Sequence, residues 1–244
     1  MTETYLFAEH VVRIDTLHRF VHKQCEKYRY KDHGNADITI KISQSDIDYE
    51  RAKSEREDKL EGIAVRCFAD SYLESLAVYR KFSESIIDDG YFLFHGSVVA
   101  VDGIGYLFTA RSGTGKTTHT NLWLKYFGNR AEIINGDKPI IKISSDVSVF
   151  GTPWCGKENL NSNKSVPLKA VCILNRDTVN HIEHISKKQA YPLLLQQCYR
   201  PENSDKMSAT LSLLDKFCEH VKIFSMGCNM ELSAVVTAFD SMSK

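Results

Sequence analysis

Residues 109–120 read TARSGTGKTTHT, and no other stretch restricts the fold as much. Small residues ending in Gly-Lys-Thr make a turn whose successive N–H groups converge on an anion, provided a strand enters it and a helix leaves it. The flanking sequence supplies both. Ser97–Val101 and Tyr106–Ala110 are β-rich runs joined by DGIG, and Asp-Gly between apolar strands predicts a hairpin. The strand entering the turn therefore has an antiparallel partner just before it. Beyond the turn, TTHTNLWLKYFG sets Leu122, Trp123, Tyr126 and Phe127 at helical spacing and ends on Gly128, where a C-cap belongs.

The full pattern G-x-x-x-x-G-K-[ST] asks for glycine at 110, where the chain has Ala110. Ser112, Gly113, Thr114, Gly115, Lys116 and Thr117 match the rest, and with Thr118 they form the expected nucleotide-binding set. Lys116 would neutralise the β- and γ-phosphates of ATP and the Thr117 hydroxyl would ligate Mg²⁺. The metal needs a carboxylate as well. Asp137 in EIINGDKP ends a β-run after the loop helix, where a strand beside the first would deliver it.

The remaining chain reads as α/β. Runs at AEIIN, PIIKIS, SVFG, LKAVCIL and VKIFSM predict strands, and Lys187–Cys198, Ala209–His220 and MELSAVVTAFDSM predict helices. Asp70 precedes SYLESLAVYRKFSESII, an amphipathic helix expected to pack on the segments C-terminal to it. Residues 1–69 are expected to form a small α+β extension, with YLFAEHVVRI and ADITIKI as β-like runs around a helical stretch from Leu17 to Tyr28, and residues 70–244 the loop-bearing domain. SQSDIDYERAKSEREDKLEG, dense in charge, is expected to be a solvated helix or loop.

Lys+Arg and Asp+Glu both number 31, so no net field recruits nucleic acid or an anionic membrane. Seven scattered cysteines without CxxC spacing fit neither a disulfide framework nor a zinc site and read as reduced thiols. No uncharged run approaches the ~20 residues of a membrane span. The expectation is a cytoplasmic protein, with its oligomeric state, a homo-oligomer included, left open.

SGTGKTT is similar to the ATP loop of phosphoenolpyruvate carboxykinases, and the order HGSVVAVDGIGYLFTARSGTGKTT…IINGD resembles the HPr kinase/phosphorylase family of bacterial protein-serine kinases, over about residues 91–143. The resemblance implies a phosphoenolpyruvate-carboxykinase-like P-loop domain with a mixed sheet, and a Mg²⁺-ATP-dependent kinase acting on a protein or peptide hydroxyl. It places His95 near the transferring phosphate, as a catalytic candidate beside Lys116 and Asp137. One departure affects the mechanism. The family shows Asp-Asp after the second strand, with a general-base role for the first, and here the pair is Gly136-Asp137. GTPWCGKENLNSNKSVPLKA resembles bacterial HPr-kinase-related proteins, some from peptide-maturation gene clusters.

By its residues alone, His95 sits between apolar runs, where a histidine more often fills a core or turn than catalyses. The 151–163 loop, with Trp154 beside Cys155-Gly156-Lys157, would suit a lid or an acceptor pocket. Cys155 lacks the spaced His and Asn or Asp of a nucleophile. Arg200, after a helix, could reach a phosphate as a planar cation, although an arginine there is more often a surface residue at a helix end. Two further functions are compatible with the motif: a nucleotide-binding regulator without transfer chemistry, and a small-molecule kinase.

Overall fold

The computed structural model describes residues 1–31, 34–111 and 113–244, which form two compact units, Met1–Ser85 and Ile86–Lys244. The division falls one helix later than the expected 69/70 boundary.

In the first unit, β1 (Thr2–Phe7) and β2 (His10–Asp15) form an antiparallel hairpin, α1 (Phe20–Gln24) follows, and β3 (Ile38–Lys41) runs parallel to β2. The run YLFAEHVVRI is thus two strands. Its two-residue turn is Ala8-Glu9, with φ of 44° and 70°, a conformation usually left to Asn or Gly. The charged segment becomes α2 (Gln44–Leu60), started by a capping box between Ser43 and Asp46. It is not wholly solvated: Glu50 and Asp58 are buried. Glu50 accepts from Arg80 Nε at 2.6 Å, and Asp58 from the Arg66 backbone N–H at 2.7 Å. α3 (Asp70–Ser85) buries Leu73, Ala77, Val78 and Phe82. It packs on α1, α2 and β3, so it belongs to the first unit rather than to the loop-bearing domain. Phe82 meets Phe7 edge-on with centroids 5.3 Å apart, and Glu74 accepts from the N–H groups of Leu17 and His18 at 2.5 and 2.9 Å.

The second unit is built on a curled mixed sheet. Its strands are β4 (Tyr91–Leu93), β5 (Ser97–Val101), β6 (Ile104–Thr109), β7 (Ala131–Asn135), β8 (Ile140–Ile143), β9 (Val147–Phe150), β10 (Ser165–Arg176), β11 (His181–His184) and β12 (Lys222–Cys228). They run in the order β4-β8-β9-β10-β6-β5-β7, with β12 on β10 and β11 on β12. β10 belongs to both parts of the sheet. Residues 165–167 pair antiparallel with β9, and the rest lies parallel between β6 and β12. β5 and β6 close through Asp102-Gly103, at φ of 50° and 80°, as the sequence predicts.

Helices cover both faces. α4 (Lys116–Phe127) and α7 (Ser233–Met242) enclose Trp123, Tyr106, Phe108 and Met226 against one face. α5 (Lys187–Leu195) and α6 (Ser204–His220) enclose Phe92, Phe94, Leu194 and Phe217 against the other. Burying apolar faces on both sides of a sheet is the standard route to an α/β core. One expectation needs correcting. β7 does not lie beside β6, because β5 of the hairpin stands between them and pairs with both. No helix among the described residues is long and apolar enough to cross a membrane.

Candidate active site

β6 ends at Thr109 and α4 begins at Lys116, so the loop between them leaves a strand and enters a helix as expected. Ser112 lies outside the described residues. Gly113 and Gly115 hold φ of 76° and 120°, which other residues seldom adopt, and a Cβ at either would project into open space. That leaves an uncrowded cradle at a helix N-terminus, where backbone donors and the helix dipole favour an anion.

Arg176, at the end of β10, holds this loop. Its Nη2 donates to the Gly113 carbonyl at 2.5 Å and its Nε to the Thr114 carbonyl at 3.1 Å. C=O and N–H of one peptide point in opposite directions, so fixing the Thr114 carbonyl also directs the Gly115 N–H. Nothing local to Arg176 in the sequence signals this role, because β6 and β10 become neighbours only in the folded sheet.

A cavity of about 470 Å³ brings Lys116, Thr117 and Thr118 together with His95 and Asp137, and Cys155, Lys157 and Glu158 of the 151–163 loop complete its wall. Asp137 is positioned by its neighbours. The fully buried Asn135 accepts from the N–H groups of Asp137 and Lys138 at 2.8 and 2.7 Å. Its amide donates to Thr152 O and Oγ1 at 3.0 and 3.1 Å, and the Thr152 hydroxyl donates to Lys138 O at 2.7 Å. The turn bearing Asp137 is therefore fastened to the strand end and the loop together.

The Asp137 carboxylate is held at both oxygens. His95 Nε2 lies 3.1 Å from Oδ1, and Lys138 Nζ lies 3.2 Å from Oδ2. Burial opposes its ionisation, but the His95 hydrogen bond and the Lys138 charge outweigh that and hold it at about 2. His95 moves below its ordinary range, first through burial and then through the charges of Lys138 and Lys116, against the pull of Asp137. Lys116 and Lys138 are both lowered, chiefly by burial. A neutral imidazole hydrogen-bonded to a carboxylate carries its proton on Nε2, and its Nδ1 keeps a lone pair.

The space at Gly136 is closed. Its φ is not positive, so the backbone alone would accept another residue. A Cβ there, however, would stand 2.8 Å from the Cys155 carbonyl oxygen and 3.3 Å from that of Leu160, which accepts the Gly136 N–H at 2.8 Å. An aspartate at 136 would therefore meet backbone at its first side-chain atom. The 151–163 loop crosses where its side chain would begin.

Among the described residues no three His, Cys, Asp or Glu side chains cluster to hold a metal ion. Mg²⁺ commonly takes one or two protein oxygens and completes its shell with phosphate oxygens and water. An ionised Asp137 and the Thr117 hydroxyl, facing one cavity, are a fitting pair. Arg200 does not line this cavity, and Cys155 enters it as a buried wall residue.

No protein-family model and no curated protein matches the chain. Among solved structures it is similar to the HPr(Ser) kinase/phosphatase from Coxiella burnetii, with 9% identity and a TM-score of 0.33, over 62% of this chain and 99% of that one. This is a distant structural similarity.

Proposed function

We propose that the chain is a Mg²⁺-ATP-dependent phosphotransferase with a phosphoenolpyruvate-carboxykinase-like P-loop domain. In this reading it moves the γ-phosphoryl group to a hydroxyl, a serine of a protein or peptide, in the cytoplasm. One observation supports it above others: the Asp137–His95 pair opens into the same cavity as Lys116. Phosphoryl transfer requires chiefly positioning and charge neutralisation, and the cavity offers both.

Asp137 Oδ2, now paired with Lys138, and the Thr117 hydroxyl are the groups that would hold Mg²⁺. Bound there, the ion would draw charge from the phosphate oxygens. Lys116 neutralises the β- and γ-phosphates. His95, with Nε2–H donated to Asp137 Oδ1, accepts the acceptor's proton at Nδ1. The hydroxyl oxygen forms its bond to the γ-phosphorus as the bond from that phosphorus to the bridging oxygen breaks, leaving ADP. His95 thus takes the role for which the missing first aspartate is unavailable.

The test is incubation with γ-labelled ATP, Mg²⁺ and cell extract. A labelled protein or peptide, absent with His95→Gln, is the expected result. A second function has its own support in the obstructed Gly136, which leaves a single acidic side chain at the turn: a nucleotide-binding regulator without transfer. Tight ATP binding with no labelled product would decide for it. Label in the small-molecule fraction alone would make the acceptor a metabolite.

A further inference from the structure

The phosphate loop borders a second cavity, of about 660 Å³, inside the ~300–1,000 Å³ span of small-molecule sites. Its position follows from the residues the two cavities share. Lys116 and Thr117 line only the first, and His119 lines only the second, while Gly113, Gly115 and Thr118 line both. The cavities therefore meet across the first turn of α4. A molecule held at Lys116 that continues past Thr118 enters the second, whose outer wall is formed by residues 176–178 and 228–230. A third cavity, of about 530 Å³ and containing Leu193, touches the loop at Arg111, Gly113 and Thr114 but includes no residue of α4.

The second cavity also has an unused donor in its wall. His119 is 3% exposed, and its Nε2 accepts from the indole N–H of Trp123 at 3.1 Å. Indole only donates, so the ring proton of the neutral imidazole sits on Nδ1. Nδ1 has no hydrogen-bond partner among the described residues.

We propose that this cavity takes the nucleoside, base and ribose together, of the nucleotide whose phosphates the loop holds, with the His119 ring in its wall. The assignment rests on the nucleotide-dependent function proposed above. Met230, 78% exposed in the wall, is the side chain through which the cavity is most readily blocked without disturbing the core.

The experiment is calorimetric titration of ATP and of inorganic tripolyphosphate, each with Mg²⁺, into the wild type, Met230→Trp and Leu193→Trp. Met230→Trp should weaken ATP about ten-fold or more while tripolyphosphate changes by less than about two-fold. Leu193→Trp, in the third cavity, should change neither. In nitrogen-15 spectra the His119 Nδ1–H resonance should shift with ATP and stay in place with tripolyphosphate. The proposal is overturned if Met230→Trp leaves ATP binding intact, if it weakens both ligands alike, or if Leu193→Trp is the variant that weakens ATP. It is also overturned if the wild type binds tripolyphosphate as tightly as ATP, a result that leaves the phosphate site standing. A wild type that binds neither ligand would instead remove the phosphotransferase function itself.

Discussion

Lys116, Thr117 and Asp137 come from segments about twenty residues apart, yet all three are legible in the sequence because strand, loop and helix are local structures. Lys138 and Arg176 are not legible in that way. Arg176 acquires its role from a loop brought close by the fold, and Lys138, though next to Asp137 in the chain, from a turn that lays its side chain on that carboxylate. Lys116→Ala should leave the apo protein's melting temperature unchanged and abolish its stabilisation by Mg²⁺-ATP. In the wild type that stabilisation is about 2.7 kcal/mol at a ligand concentration 100 times Kd. Thermal shift would show it, and equal stabilisation of both proteins would count against the site. Asp137→Asn should weaken ATP binding in the presence of Mg²⁺ far more than in its absence, as titration with and without a chelator would reveal. The pH dependence also has a definite sign. His95 must be neutral to accept a proton, so transfer should be level through neutral pH and fall only below the usual histidine range of about 6.5. Lys138→Met removes a positive charge that disfavours the imidazolium, so the acidic limb of the pH–rate profile should move to higher pH.

At the scale of elements, the hairpin into the phosphate loop follows from Asp102-Gly103, whereas the hairpin at Ala8-Glu9 carries no such signal. Two ordinary residues there adopt positive φ because the Phe7–His10 pairing requires it. Charge density likewise suggests a solvated α2 but gives no sign that Glu50 and Asp58 turn inward to arginines. The junction of β7 with the 151–163 loop is the clearest case. Asn135, Gly136 and Thr152 look like common turn residues, and only the close approach of the two segments gives them their tasks. Asn135→Leu should cost about 1–3 kcal/mol, because the part-buried N–H groups of Asp137 and Lys138 lose their acceptor. Urea denaturation would measure it, and transfer should fall with it as Asp137 loses its position. Gly136→Asp should destabilise by about 1–3 kcal/mol through overpacking against Cys155 and should not raise the transfer rate. An unchanged denaturation midpoint would contradict that.

For the molecule as a whole, the expected α/β class and mixed sheet agree with the fold, while the sheet's full order was beyond local pattern. β10 reads as one strand, and its division between antiparallel and parallel partners depends on residues up to 64 positions away. Hydrogen exchange offers a test at this scale. Mg²⁺-ATP should slow exchange around residues 113–120, 136–138 and 176–178 and leave β1–β3 unchanged, whereas protection spread evenly over both units would argue against a site built only from the second. The burial of Trp123 has an optical consequence. The chain has two tryptophans, one donating to the histidine in the wall of the second cavity and the other, Trp154, adjoining Cys155 in the wall of the first. Intrinsic fluorescence would therefore report on both ends of a nucleotide bound as proposed, without a label. Replacing either indole by phenylalanine would separate the two signals, so that arrival of the phosphates and arrival of the base could be timed individually in a stopped-flow trace.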